Sequence, residues 1–461
     1  MTNSETTVVR ASPGPWRSLW RKLLKNRVAV TGGITLIVLY VCSCFAGFLA
    51  PYDYADGDDD TAKSPPMLFG GNDLVSREVA STSPGGGNVT VYAAKFRWFD
   101  GGVHFHDAEG RFTLRPHVHA LVERKYVDED GQTGYAHAIA DRAVSVPVEF
   151  FVQDEKEHEV FSVLGLFPVR GKLHLFGVRK PGGIAGSARI YLLGSDGQGR
   201  DVFSRLLYGS QISLSVGIFC IVVTMAVGMF VGGLSGFFGG LFDLVSMRVV
   251  EVILSVPDLY LIIVLGGILR DWKPGGVPLT SRQTYLLIVL ILAFVGWAVR
   301  ARVVRGMVLS LRENDYVVAA KALGVPSWRI IAVHILPNTF SFAIVSATLA
   351  IPGYILGEVA LSFLGLGIQP PEASWGNMLQ EAQTPSYLLE NPWSVLPGVF
   401  IFITVLAYNF LGDGLRDAAD PKAVISRAMK KGLKDAKDED EKKSPGSRLQ
   451  APGEAPSPGR S

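Results

Sequence analysis

Apolar residues run in long blocks along this chain, and polar ones are pushed into the gaps between them. Residues 28–50 carry no charge, and neither do residues 212–242. A bilayer core is crossed by about 20 helical residues, so the second block exceeds one crossing. It must turn near the Gly-Phe-Phe-Gly-Gly at 236–240. Residues 244–269 are apolar apart from Arg248, Glu251 and Asp258. Residues 284–299 form a shorter block that continues into a helical basic segment. Residues 339–366 carry only Glu358, and residues 392–412 carry no charge. The pattern predicts an all-α polytopic membrane protein with six transmembrane helices.

Between the first and second blocks the period changes. Residues 51–66 open with an acidic, Gly/Pro-rich run, "DYADGDDDTAKSPP", expected to be flexible. Short alternating pieces follow: "NVTVYAAKFRWF", "HVHALVERKYV", "VSVPVEFFVQ", "GKLHLFGVRK" and "ARIYLLG". Period-two alternation in such lengths predicts strands, hence a small β-rich inserted domain over 51–193.

Basic residues set the expected orientation. Arg10, Arg17, Arg21, Lys22, Lys25 and Arg27 precede the first block, and six more basic residues lie between 300 and 338. The loop 367–391 has none and carries Glu372, Glu381 and Glu390. Both termini and the 300–338 loop are therefore expected in the cytoplasm, with the insert extracytoplasmic. The 27-residue leader and long apolar core read as a retained anchor rather than a cleaved signal. The expected organisation is a tail at 1–27, helix 1 at 28–50, the insert at 51–193, a helical transmembrane core at 194–417 that includes the cytoplasmic loop 300–338, and a disordered tail at 418–461. That last segment mixes charge with Pro and Gly, a composition too polar to bury a core.

Composition narrows the chemistry. The 461 residues are 48% hydrophobic with a net charge of +2, too small to suggest nucleic acid. Cys42, Cys44 and Cys220 all fall in apolar blocks, as small core residues do. There is no G-x-x-x-x-G-K-[ST], H-E-x-x-H or G-x-S-x-G, so neither a nucleotide loop nor a hydrolase site is expected. No catalytic residue, bound cofactor or metal is assigned. Seven of the eight histidines lie in the insert. His104 with His106, and His117 with His119, would each share a strand face, but nothing in the spacing closes a tetrahedral site. They read as surface or half-buried side chains.

"ARIYLLGSDGQGRDVFSRLLYG" imitates a strand, glycine turn and helix of a dinucleotide fold, but Val202 stands where a third glycine is needed. It reads instead as a glycine turn (Gly194, Gly199) before an amphipathic interfacial helix, with Arg200 and Arg205 in reach of Asp196 and Asp201. Glu358 lies roughly 29 Å along its helix from Thr339, at about 1.5 Å per residue, near an interface rather than buried in hydrocarbon. Arg248 and Glu251 suit a local pair at i, i+3. Asp258, after Pro257 near mid-span, is the best candidate for a polar pathway.

The loop "ENDYVVAAKALGVPSWRIIAVHILPNTF" reads as two short helices around a glycine. Tyr316, Ala319, Ala320 and Leu323 share one helical face. Gly324 suits a left-handed helix end, Val325-Pro326 a turn, and Ser327 a cap for a helix starting at Trp328. Pro337 is expected to stop that helix before the next span. "VAAKALGVPSWRIIAVHILP" resembles the E-A-A-x-x-x-G-x9-I-x-L-P loop of ATP-binding-cassette importer permeases. Ala319, Ala320, Gly324, Leu336 and Pro337 match, whereas Val318 and His334 replace the family's glutamate and isoleucine. "LGSDGQGRDVFSRLLYGSQISLSVG", "GEVALSFLGLGIQPPEASWGNML" and "NFLGDGLRDAADP" resemble the C-type permease of dipeptide and oligopeptide importers.

The resemblance implies a subunit of the bacterial cytoplasmic membrane that pairs with a homologous permease. It implies two cytoplasmic P-loop ATPases, which use the ATP and magnesium, and an extracytoplasmic solute-binding protein that delivers peptide. The helix around Ala319–Leu323 would be the coupling helix, docked in a groove of an ATPase, with Tyr316 and Ala320 on the same loop. Two alternatives remain: a secondary transporter, which would show charged or broken mid-membrane helices and internal repeats not evident here, and a membrane sensor, which fits the insert but leaves the hairpin unexplained.

Overall fold

In the computed structural model, residues 15–80, 88–98, 102–106, 110–127, 133–163, 165, 167–178 and 188–419 are described. Of the expected tails at 1–27 and 418–461, residues 1–14 and 420–461 lie outside them. Asn26 accepts hydrogen bonds from the first amides of a long helix, α2 (Arg27–Cys44), which follows a short amphipathic α1 (Pro15–Leu23) and ends in one further turn, α3 (Ala46–Leu49). Asp201 caps α4 (Val202–Phe238). That helix stops at Gly239, whose φ of +65° an L side chain rarely adopts. The turn expected at 236–240 is thus present.

The next apolar block is not one straight helix. α5 (Gly240–Ser255) and α6 (Asp258–Asp271) meet at 87° across Val256-Pro257, where proline removes a helical donor. α7 (Ser281–Leu311) starts with a Thr280–Gln283 capping box. α8 (Asp315–Ala322) and α9 (Ser327–Arg329) form the hairpin. α10 (Leu336–Phe363) follows, then α11 (Trp375–Glu381), α12 (Pro385–Glu390) and α13 (Leu396–Ala419). Among the described residues five helices are long and apolar enough to cross a membrane, and six crossings result if the bent α5–α6 pair counts as one.

α4 and α7 pack closely because α4 presents glycines at four-residue spacing. A Cβ at Gly228, Gly232 or Gly236 would meet the Arg300 Cβ at 2.5 Å, the Ala301 carbonyl at 2.5 Å or the Arg305 carbonyl at 2.8 Å. Small residues at this spacing let helices approach where apolar burial against lipid gives no drive. Bidentate Arg305–Asp243 bonds (2.5 and 2.6 Å) then tie α7 to α5. The main core gathers Leu214, Cys220, Leu292, Ile355, Leu361 and Trp375 from four helices.

The insert is a sheet, as the alternation predicts. β1 (Gly70–Ala80) pairs antiparallel with β2 (Asn88–Trp98); β4 (Phe112–Val127) lies between β3 (His104–His106) and β5 (Thr133–Val163). The order is β2-β1-β5-β4-β3, and β6 (Phe167–Val178) pairs with the later half of β5. β1 went unread because "GGNDLVSREVA" alternates poorly. "ARIYLLG", read as a strand, is irregular chain: Ile190 and Tyr191 face the sheet and join its core with Val118, Leu121 and Val148. Nor is the acidic run at 53–66 loose, since Thr61 and Ser64 are buried against the segment around residue 195.

Candidate functional site

The hairpin is built on a buttress of its own chain. Val317 and Ala320 turn inward onto Phe237, Val304, Val308, Ile330, Ile331 and Ile335. Ala320 is 6% exposed, so it does not share one face with Tyr316, Ala319 and Leu323 as the helical spacing suggested. Burial of Val317 (0% exposed) decides this: the apolar side of α8 runs through 317 and 320, about one residue rotated from the expected stripe. Leu323 is 84% exposed, and Tyr316, Val318, Ala319 and Gly324 are exposed beside it. Trp328 of α9 is exposed as well. The residues expected at the docking loop therefore divide. Tyr316, Ala319, Leu323 and Gly324 face outward, whereas Ala320 and Leu336 pack inside.

Gly324 has φ +76°, and the Val325 amide returns to the Ala320 carbonyl at 3.1 Å, which closes α8 as a left-handed glycine end. Pro337 does not stop the helix begun at Trp328. Residues Ile330–Ile335 widen into a π-turn that runs straight into α10, and the Leu336 amide bonds Ile331 instead of a residue four back. A π-turn next to a residue without an N–H spares the helix a missing bond. The second arm of the hairpin is thereby continuous with a long helix.

At the other end of the bundle, the residues 194–201 make a clamp rather than the start of an interfacial helix. Asp196 accepts from the Gln198 and Arg200 amides, from Arg200 Nε at 2.7 Å, and lies 3.4 Å from Arg205 Nε. Arg200 also reaches Glu381 at 3.2 Å. Arg200 and Arg205 pair with Asp196 and not with Asp201. Asp201 caps α4 through the Ser204 amide (2.8 Å) and hydroxyl (2.6 Å), and burial pushes its carboxyl up to about 6. Gly194 and Gly199 have positive φ, and a Cβ on Gly199 would strike the Asp58 carbonyl at 1.9 Å. These residues hold together the start of the insert, α4 and the α11–α12 region.

Beside this clamp the sheet meets the helices around a cavity of about 340 Å³. Tyr54, Glu159, Gln211, Arg282, Tyr285 and Glu372 line it. Gln211 donates to Glu159 at 3.2 Å, and burial holds Glu372 above the usual carboxylate range, with Asp53 and Glu159 adding repulsion. Two carboxylates, a guanidinium and tyrosines make a mouth that can hold a solute bearing both charges. The sequence pattern does not show this cavity, because Glu159 comes from β5, Arg282 from α7 and Glu372 from the loop after α10.

Glu358 is wholly buried among protein side chains, which its expected height along the helix leaves open. Ser213 donates to it at 2.9 Å and Ser362 at 2.7 Å. Counting along the helix could not show that α4 and α11 close over it. Asp258 is exposed directly after the α5–α6 bend, and Arg248 and Glu251 pair at 2.8 Å as their spacing suggests. In the insert, His104 bonds the Gly102 carbonyl and Ser145, and His117 bonds the Arg115 carbonyl. Burial lowers the basicity of His104.

A profile of the family "Binding-protein-dependent transport system inner membrane component" matches residues 227–425, and one for the "N-terminal TM domain of oligopeptide transport permease C" matches residues 14–66. The chain is 42% identical over 230 residues to the dipeptide transport system permease protein of Bacillus subtilis, covering 50% of this chain and 68% of that one. It is 39% identical over 233 residues to the oligopeptide transport system permease protein of Haemophilus influenzae, covering 50% and 70%. Both alignments leave about half of this chain unmatched. The chain thus belongs to the binding-protein-dependent transport family, as a non-catalytic, multi-pass permease subunit of an ATP-binding-cassette importer whose ATPase is a separate subunit.

Proposed function

We propose that this chain carries peptides inward across a bacterial cytoplasmic membrane, paired with a homologous permease. Two P-loop ATPases would dock under the hairpin, and a solute-binding protein would deliver cargo at the insert. Both termini would then be cytoplasmic. The observation that carries the reading is the outward apolar face of α8, Tyr316, Ala319 and Leu323, on a hairpin whose other face is packed and whose exit is continuous with α10. A connector has no need of an 84%-exposed leucine on a rigid base. Peptide as cargo rests on the names of the relatives and agrees with the mixed charge of the Glu159–Arg282–Glu372 mouth, since a peptide bears an ammonium and a carboxylate.

The test uses the complex reconstituted with its ATPases and binding protein. Leu323→Asp changes an exposed position, so permease stability should move by no more than about 0.5 kcal/mol. Stimulation of ATP hydrolysis by loaded binding protein should fall at least tenfold while basal hydrolysis persists. Lys321→Ala should change little. Full stimulation in Leu323→Asp would refute docking at this face. Sidedness is checked separately: a cysteine at Gly110 should react with an impermeant reagent in intact cells, and one at Gly446 should not.

A further inference from the structure

β5 and β6 do not run as an even ladder. Gln153 pairs with Leu173 and His158 with Gly171, so β5 advances five residues while β6 advances two. A bulge of that size re-aims side chains. Here it brings Asp154 and His158 close to His174, which pairs with Val152. The His158 and His174 rings lie parallel, 3.8 Å apart at 6°. Both residues are buried, at 6% and 3% exposure, where an unpaired polar atom costs free energy.

The nitrogens define the site. His174 Nδ1 lies 2.5 Å from the Ala50 carbonyl and 3.1 Å from that of Gly47. Carbonyls only accept, so Nδ1 carries the hydrogen and Nε2 keeps its lone pair. A ring nitrogen held by a carbonyl with the other left open is the usual posture of a metal-binding imidazole. His174 Nε2 and both nitrogens of His158 have no hydrogen-bond partner. Asp154 Oδ2 lies 3.8 Å from His174 Nε2, and one ligand atom from each of the three residues falls within 4.8 Å of the others. Ligands on one tetrahedral zinc sit about 3.3 Å apart, given metal–nitrogen distances near 2 Å, so a small closure completes the set.

We propose that Asp154, His158 and His174 bind a divalent transition cation of the zinc class, with water at the fourth position. Two imidazoles and a carboxylate are borderline ligands that suit zinc, cobalt or nickel and discriminate against magnesium and calcium. The ion has a structural consequence. His174 already grips the α3 carbonyls, and His158 precedes Glu159, whose carbonyl accepts from Tyr208 and whose side chain lines the mouth. Metal would therefore fasten the β5–β6 hairpin to the outer ends of α2–α3 and α4, and hold Glu159 in place.

The experiment takes the full chain in its assembled complex, strips it with chelator and adds zinc alone. About one equivalent of zinc per chain should remain after desalting, and cobalt in its place should give the intense visible absorption of a tetrahedral site. Zinc should also raise the unfolding temperature of the chain. His158→Phe keeps a flat ring against His174, and it should lose both metal and the temperature shift. His174→Gln should lose them as well, and His104→Phe should keep them. Overturning results are no retained zinc in the wild type, or equal zinc in wild type and His158→Phe. Either would leave a stacked imidazole pair beside an ordinary Asp154–His174 ion pair.

Discussion

Asp201 shows how a single buried side chain makes stability depend on pH. Its carboxyl is 1% exposed, bonded through one oxygen only among the described contacts, and held near 6 chiefly by burial. In the unfolded chain it ionises near ~3.9. The fold therefore keeps the proton that the unfolded chain releases. Stability from this group is complete below about pH 4 and is lost as pH rises through about 6, a difference of order 3 kcal/mol. Asp201→Asn, which keeps a cap acceptor, should flatten the unfolding free energy between pH 4 and 7. Denaturant titrations at several pH values measure it, and an unchanged slope would mean that Asp201 is ionised in the fold. The spacing of Asp196, Arg200, Asp201 and Arg205 announces local pairing. It does not say that both arginines choose Asp196, which only packing decides.

Among the elements, the α4–α7 contact is the most exacting. Gly228, Gly232 and Gly236 leave no room for a side chain, because backbone of α7 occupies the space. Gly232→Leu should overpack the contact at a cost of about 1–3 kcal/mol or more, since a helix must move where a side chain cannot. The chain should still insert, but its melting temperature in detergent should fall and less complex should assemble. Gly233→Ala is the control: its Cβ would meet only the tips of Leu336 and Ile331 at 3.5 and 3.7 Å. The repeat is visible in the sequence as glycines four apart, so this element was open to prediction although the apolar block alone suggested only a span. The π-turn before Pro337 was not, because proline's usual effect is to end a helix and the compensation comes from a neighbouring widening.

For the whole molecule, the insert has two parts with different roles. Residues 53–66 pack into the core: the Lys63 amide bonds the Asp196 carbonyl, the Asp58 amide bonds that of Gly199, and Arg189 pairs with Asp56 at 2.7 Å. The sheet proper begins at Gly70. Replacing residues 72–186 by a short Gly-Ser linker should leave a permease that assembles with basal ATP hydrolysis but unfolds at a lower temperature, since Ile190, Tyr191 and Tyr208 lose their sheet partners, while weakening docking of the binding protein. Removing 53–180 should instead prevent assembly. Pull-down of the partner permease separates the two outcomes; equal assembly of both deletions would show that the 53–66 contacts are dispensable.

The apolar blocks, the change to period two in the insert, the left-handed glycine at 324 and the family resemblance all lay in the sequence itself. They depend on local chain geometry, on the thickness of a bilayer or on an unbroken run of residues. Four things waited on the tertiary structure: the inward turn of Ala320, the burial of Glu358, the cavity shared by sheet and helices, and the Asp154–His158–His174 cluster. Each joins residues from elements far apart in the chain, or rests on a rotation or bulge of one or a few residues. Hydrophobic periodicity has no term for which neighbour closes over a face, and that choice is made only when the whole chain packs.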